Sequence, residues 1–442
     1  MNLCGLHTFV AIARERNTTR VVVRPSRHKT ATYRPSRCFG RVKKPATTKP
    51  DDRQPVLAST RNLKMAESAH AYVRGSTVKF YEWLGGSERA FVPDGPPVWI
   101  CGDCHVGNLG PIGSATGEID IQIRDVDQTV IGNPAHDLIR LGLSLAMAAR
   151  SSDLPGVTTA RIIEQITEGY QAALATDETE SAPKPPRIVE RTLREAAGRS
   201  WKHLADERIE GSNPTIPLGK RFWPLARDER KGIDAVFAQE DVRALVTSLR
   251  SRDDDSTIRV MDAAYWRKGC SSLGRLRFAV LLAIAGSRKG PVRHCLIDVK
   301  EAIAAAAPRT AGMPMPRDNG ERVVEGARQL SPHLGRRMLP ARLLGRAVFI
   351  RELLPQDLKL EVDALSRAEA MEVAHYLAGV VGRAHGRQLS ATDRTSWCKD
   401  LARRPGDALD APSWLWSSIV DLVGTHEAAY LDHCRRYALG AA

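Results

Sequence analysis

Between Val98 and Asp127 the chain carries a polar loop, Cys101-Gly-Asp-Cys-His-Val-Gly-Asn108, followed at once by Ile119-Asp-Ile-Gln-Ile-Arg-Asp125-Val-Asp127. This spacing limits what can be built around it. Residues 108–114 read as a short strand, Ala115-Thr116-Gly117 as a turn, and 118–125 as a returning strand. Ile119, Ile121 and Ile123 alternate inward with period two. Such a hairpin brings Asn108 and Asp125 back to one end, beside Asp103. An Asp, an amide five positions on and a second Asp across a hairpin make up a phosphoryl-transfer arrangement. Asp103 is placed to orient and deprotonate an attacking hydroxyl; Asn108 and Asp125, with Asp127 as a further candidate, offer hard oxygen ligands to Mg²⁺. A lone loop Asp is usually a cap or turn residue, and only the offsets of its neighbours set Asp103 apart.

A second segment reads as strands. Ile258–Lys268, Arg275–Ala285 and Val292–Lys300 are separated by the loop Gly269–Gly274 and the turn Gly286–Gly290. Strand, glycine loop, strand, turn, strand, lysine is the order of a kinase's nucleotide-binding lobe. Gly269, Ser272, Gly274 and Lys300 are the candidate nucleotide contacts. A Walker loop is excluded, because Arg275-Leu276 stands where Lys-Ser/Thr is required and the loop joins strands. Arg322–Leu330 reads as a helix carrying Glu325, the expected partner of Lys300, with Glu301 and Glu321 as alternatives. Val348–Leu354 is a further strand before a hinge-like Pro355-Gln-Asp357. Ser366-x-x-Glu369 is a capping box that opens a helix ending near Gly386.

Gly102-Asp103-x-His105-x-x-Asn108, Asp125-x-Asp127 and Gly132-Asn-Pro-x-x-Asp137-Leu resemble the core of aminoglycoside and choline phosphotransferases. Still more similar is a bacterial family catalogued as domain of unknown function 2252, grouped with the protein-kinase-like folds. Lys64-Met-x-x-Ser-x-x-Ala-Tyr-Val-Arg74-Gly75, Gly269-x-x-Ser-x-Gly274, Asp298-Val-Lys300-Glu301-Ala302, Arg322-Val-Val-Glu325-Gly326 and Ile350-Arg351-Glu352-Leu353 match it as well. The resemblance runs from about Lys64 to about His385. It implies an α+β, two-lobed kinase-like fold, with ATP and Mg²⁺ as cofactors.

The order of the parts departs from an ordinary kinase. Asp103, Asn108 and Asp125 precede the glycine loop and Lys300 by some 140 residues or more, and the helix ending near His385 has the character of one that leads into a catalytic loop. The fold expected is therefore circularly permuted, which is cheap when domain termini lie close together. Its segments are a basic tail over 1–55, a catalytic-loop and helical segment over 56–255, a nucleotide-binding segment over 256–362 and a helical segment over 363–442. A separate α+β domain over 256–360 is the alternative. Cys101-Gly102 replaces the usual His before Gly-Asp, and the short stretch from Asp125 to Asn133 leaves no room for a long activation loop. Both favour a small-molecule acceptor over regulated protein phosphorylation. A nucleotide-binding pseudokinase and an AMP transferase using the same metal site are the rival readings. Asp137 is expected to be an N-cap and His105 to hydrogen-bond within its loop. Arg221-Phe-Trp-Pro224 is expected to pack rather than to stack bases.

The net charge of +14 invites a nucleic-acid partner, but residues 1–50 carry +11 of it. The body is thus no basic binder, and nucleic acid is expected only through the tail. The longest apolar run, Phe278 to Ala285, is far short of the ~20 residues of a membrane span. No secretory pattern opens the chain, so a cytoplasmic protein is expected. Cys101 and Cys104 form a lone C-x-x-C with no second half to complete a zinc site.

Overall fold

The computed structural model describes residues 47–438, except 87–91, 152–155, 176–182, 210–213, 249–251, 253–255, 271, 287–291, 361–364 and 403–411. Most of the basic tail, the turn after Gly286 and Ser271 of the glycine loop lie outside the described residues.

The fold is mixed α+β. Three short helices, α1 (Arg53–Ala66), α2 (Ala69–Gly75) and α3 (Thr77–Leu84), open it. The helical run is broken at Ser68, whose hydroxyl accepts from Ala71 N at 3.0 Å and starts a new helix. The segment boundary drawn at residue 55 falls inside α1. Strand β1 (Val98–Ile100) pairs antiparallel with β4 (Val130–Gly132), and β2 (Leu109–Gly113) forms a hairpin with β3 (Ile119–Ile123), Leu109 facing Ile123. Helices α4 (Ala135–Ser151) and α5 (Gly156–Ala175) follow, then α6 (Arg187–Gly198) and α7 (Trp201–Arg208).

Next come β5 (Phe222–Trp223), α8 (Arg227–Phe237), α9 (Glu240–Thr247), β6 (Thr257–Trp266), β7 (Arg277–Ala285) and β8 (Arg293–Glu301). Helices α10 (Asn319–Leu330) and α11 (Pro332–Gly335) precede β9 (Met338–Leu343) and β10 (Arg346–Leu353). The strands form an antiparallel sheet in the order β5-β6-β7-β8-β10-β9. Phe222 and Trp223 are buried edge-strand residues, so that segment packs as expected. β5, β9 and α11 are absent from the sequence reading; β5 and α11 are too short to show a period, and β9 (Met-Leu-Pro-Ala-Arg-Leu) carries a Pro and no regular alternation.

Alternation along β8 decides which side chains meet the rest of the molecule. Cys295, Ile297 and Val299 join one apolar core with Phe278, Val280 and Leu282, beneath α8 and α9. Leu296, Asp298 and Lys300 point the other way. There Leu296 packs with Ala279, Leu281 and Leu353. The ladder aligns Arg277, Lys300 and Phe349 in one row and Ala279, Asp298 and Arg351 in the next. That face is turned toward the β2–β3 hairpin.

The largest core is helical, formed by α4, α5, the hairpin and three C-terminal helices: α12 (Arg367–Gly386), α13 (Ala391–Leu401) and α14 (Ser413–Tyr437). The capping box at Ser366 forms as expected, its hydroxyl accepting from Glu369 N at 3.3 Å. No helix among the described residues is long and apolar enough to cross a membrane.

Candidate active site

The loop after β1 is held from below by a carboxylate. Asp137, at the start of α4, accepts from Cys101 N at 2.7 Å and Gly102 N at 3.0 Å, and it is fully buried. The N-cap expectation for Asp137 is therefore corrected: its oxygens serve a distant loop. His385 Nε2 donates to the same carboxylate at 3.2 Å, Tyr170 OH lies 2.9 Å from His385 Nδ1, and Trp397 Nε1 donates to Tyr170 OH at 3.2 Å. The chain of donors assigns the His385 proton to Nε2. Gly102 has φ +71°, and a Cβ there would lie 2.2 Å from the Gln128 carbonyl oxygen. Only glycine fits that turn.

Asp103 is buried, and both its oxygens are engaged. Arg140 Nε donates to Oδ1 at 2.8 Å, and Thr77 Oγ1 to Oδ2 at 2.9 Å. Arg140 and Thr77 are neighbours of Asp103 that the sequence reading missed. Asp137 and Arg140 stand one helical turn apart on the inward side of α4, the one signal that was available. Asn108 Nδ2 donates to the Asp103 carbonyl at 2.9 Å, and Asn108's own carbonyl accepts from Arg124 N at 2.7 Å. The hairpin thus sets Asn108 beside the approach to Asp125.

Lys300 crosses to this cluster from the sheet. Its ammonium lies 3.3 Å from both oxygens of Asp125 and in closer contact with Asp127 Oδ2. Burial works to raise the Asp125 pKa, but the Lys300 ammonium, with Arg351 and Arg277 behind it, holds it below the usual carboxylate range. Asp127 goes the other way, to about 6, through burial and the charge of Asp125.

Glu325 is not brought to Lys300. Helix α10 turns Arg322, Val323, Val324, Gly326 and Ala327 inward. Arg322 is held by the carbonyls of Thr129, Asp127 and Ile303. Glu325 is left on the rim, with Gln329 at 3.0 Å and Arg328 at 3.4 Å. Of the alternatives, Glu301 accepts from Leu276 N and Arg346 and Glu321 is exposed. The lysine's partners are the aspartates, because the β8 face that carries it looks at the hairpin and not at α10.

Gly269 (φ +87°) and Gly274 (φ +97°) bound the loop between β6 and β7, and helix α1 binds it from outside. Lys64 Nζ donates to the Gly269 carbonyl at 2.9 Å and Gln54 Nε2 to the Gly274 carbonyl at 3.0 Å. Ser272 Oγ donates to the Lys268 carbonyl at 3.1 Å. Arg277, just past the loop, pairs in the ladder with Lys300. The loop therefore stands at the Lys300 end of the sheet, with no hydrogen bond or ion pair to Asp125 among the described residues.

His105 hydrogen-bonds within its loop through the backbone, its N donating to the Asp103 carbonyl and its own carbonyl accepting from Asn108 N, both at 2.8 Å, while its side-chain Nδ1 is buried without a hydrogen-bond partner. Burial, then Arg74 and Arg140, push its pKa well down and keep the ring neutral. Cys101 and Cys104 are free, fully buried thiols. Their mutual hydrogen bond and burial hold Cys101 well above the ordinary thiol pKa; at Cys104 that hydrogen bond works downward, but burial with the charges of Asp137 and Asp103 raises it overall, which disfavours thiolate chemistry.

The donor set suits a hard divalent ion. Asp127 Oδ1 is buried and has no hydrogen-bond partner, a carboxylate oxygen that only a cation or solvent can satisfy. Among the described residues no three His, Cys, Asp or Glu side chains converge on one point. Two carboxylates and an amide are too few for a closed protein cage, but Mg²⁺ takes most of its shell from water and phosphate.

Residues 53–436 match a family described as "Uncharacterized protein conserved in bacteria (DUF2252)". The chain belongs to this family. No curated protein and no solved structure matches it. The family match takes in every candidate residue from Asp103 to Glu325, and it begins at Arg53, the first residue of α1.

Proposed function

We propose that the chain is an ATP- and Mg²⁺-dependent phosphotransferase on a circularly permuted kinase-like fold, acting on a small-molecule acceptor. One observation carries the reading: Lys300 reaches across to Asp125 and Asp127, far away in sequence, at the end of the hairpin that begins at Asn108. A lysine that holds phosphates must lie within a triphosphate's length of the groups that hold the metal, and this one does. The topology is in accord. Lysine on the third strand of the β6-β7-β8 run, a helix and two further strands follow the kinase order. Permutation is supported at the junction of segments. Gln388, just beyond α12, bonds both Trp99 N (2.7 Å) and the Trp99 carbonyl (3.1 Å), so that helix ends beside the strand that leads into the catalytic loop.

Asn108, Asp125 and Asp127 would hold Mg²⁺, which when bound supplies charge neutralisation across the phosphates. Lys300 offers a fixed positive charge beside them. Asp103 anchors the acceptor's side of the site, its position set by Arg140, Thr77 and the Asp137 loop clamp. These contacts also favour a second reading, the pseudokinase. With both Asp103 oxygens engaged, an acceptor hydroxyl must share or displace the Thr77 bond.

Incubation with Mg²⁺ and ATP labelled separately at the α- and γ-phosphates tests the proposal. Transfer of the γ label to an acceptor, or to water, is the expected result, and Asp125→Asn should abolish it. Transfer of the α label would replace phosphotransfer with AMP transfer. Saturable binding without transfer would replace it with the pseudokinase, and failure to bind nucleotide would remove both.

A further inference from the structure

Beside the β2–β3 hairpin, at Ile112 and Arg124, and against the hinge-like Pro355 segment, lies a small cavity of about 90 Å³. Its lining is unusual in charge. Arg124, Arg199, Arg208, Lys268 and Arg351 face it, with Asp357 as the one carboxylate. That carboxylate is already committed. Arg337, from outside the cavity, holds it at 2.9 and 3.2 Å, and Gly113 N and Leu354 N also donate to it. Arg351 shares Asp298 with Arg277, which holds that carboxylate at 2.6 and 2.9 Å. Among the described residues neither Arg124 nor Lys268 enters an ion pair; Arg124 donates to the Asp357 carbonyl at 3.3 Å.

The positive groups also crowd one another. Lys268 Nζ sits 4.3 Å from the centre of the Trp266 ring, and the guanidinium groups of Arg208 and Arg277 each lie 5.1 Å from the same ring. Of the three, Arg277 is paired with Asp298, whereas Lys268 enters no ion pair among the described residues and meets only the weak attraction of the ring. Burial, followed by the charge of Arg277, pushes the Lys268 pKa well down, with Asp298 opposing. The five cations that line the cavity are half-buried, and like charges drawn partly out of water repel one another unless an opposite charge joins them. The volume is well below the ~300–1,000 Å³ of pockets that enclose a drug-sized ligand, so it suits one compact group.

We propose that this cavity binds a compact, multiply charged oxyanion, either free phosphate or the phosphoryl end of a larger molecule. Several guanidinium forks around a small space match the tetrahedral oxygens of such a group. Arg351 faces both places, but the cavity takes no side chain of Asn108, Asp125 or Asp127, and the variants that test it, at Lys268 and Arg208, leave those residues untouched, so the proposal goes beyond the phosphotransfer reading and can fail without it.

The test is calorimetric titration of the full chain at low salt, in EDTA, with inorganic phosphate and separately with glycerol 3-phosphate. Saturable binding at one site is expected, weakened about tenfold or more in both Lys268→Met and Arg208→Gln and partly restored in Arg208→Lys. Tighter binding of glycerol 3-phosphate would assign the site to the end of a larger ligand, and tighter or equal binding of inorganic phosphate would assign it to the free ion. Circular dichroism melts establish that each variant is folded, and phosphate should raise the melting temperature of the unaltered protein but not of Lys268→Met. Absence of saturable binding to the unaltered chain, or unchanged affinity in the folded variants, would overturn the proposal.

Discussion

Asp137 is the residue whose replacement should reveal most about how the loop after β1 is held. Three donors converge on its two oxygens: Cys101 N and His385 Nε2 on Oδ2, and Gly102 N on Oδ1. In Asp137→Asn the shape survives but one oxygen becomes an NH₂ group. The less costly orientation leaves the amide oxygen to Cys101 and His385 and turns the NH₂ toward Gly102 N. That N–H then faces a donor in a dry site, costing about 1–3 kcal/mol, and the remaining bonds lose the charge assistance that makes them worth about 1.5–3 kcal/mol each. Together the loss should be about 3–5 kcal/mol, a large share of the ~5–15 kcal/mol that holds a typical domain. Urea unfolding should show a lower midpoint at an unchanged slope. Amide exchange should speed up at Gly102 more than at Cys101. A loss below about 1 kcal/mol, or a Gly102 amide protected as in the unaltered protein, would refute the clamp.

Arg53→Met should cost about 3–5 kcal/mol in chemical unfolding, since it strands Glu229, held by Arg53 at 2.7 Å, as a buried unpaired charge; a Glu229→Gln background should absorb most of that cost. Gly102→Ala should destabilise by more than about 1 kcal/mol, because its φ of +71° and the Gln128 carbonyl both reject a methyl group; a melt within a degree of the unaltered protein would contradict this. Burial, aided by Arg140, lowers the pKa of His426 to about 4. The unfolded ring takes up a proton near its ordinary value of about 6.5 and the folded ring does not, so stability is full above that pH and falls as pH drops toward 4. Replacing His426 with Phe should flatten that part of the stability–pH curve, and an unchanged slope would show that other groups produce it.

What the sequence disclosed follows the range of the information. The β2–β3 hairpin, the return of Asp125 to Asn108 and the capping box at Ser366 rest on spacings of a few residues, and alternation or offset alone determines them. Which way a helix faces is a different kind of fact. Sequence order pairs Glu325 with Lys300 because it follows on the next helix, yet the roll of α10 about its axis depends on Arg322 finding three carbonyls from β4's approach and the loop after β8. No window of α10 contains those partners.

Asp137 shows the same limit from the other side. A carboxylate in the first turn of a helix carries one local signature whether it caps its own helix or receives a loop from elsewhere. The difference lies in His385 and Tyr170, which approach from α12 and α5, and in the two amides of the loop after β1. The basic cavity is harder still, since its five cations come from four separated stretches of chain and none stands in a charge run. Net charge hid it, because the surplus positive charge of the sequence lies almost wholly in the first 50 residues, while the cations of the cavity are balanced in the total by acids placed elsewhere. A site made by convergence leaves no trace in composition; it becomes legible only when the pairing of each carboxylate is known, for it is the prior commitment of Asp298 and Asp357 that leaves positive charge over.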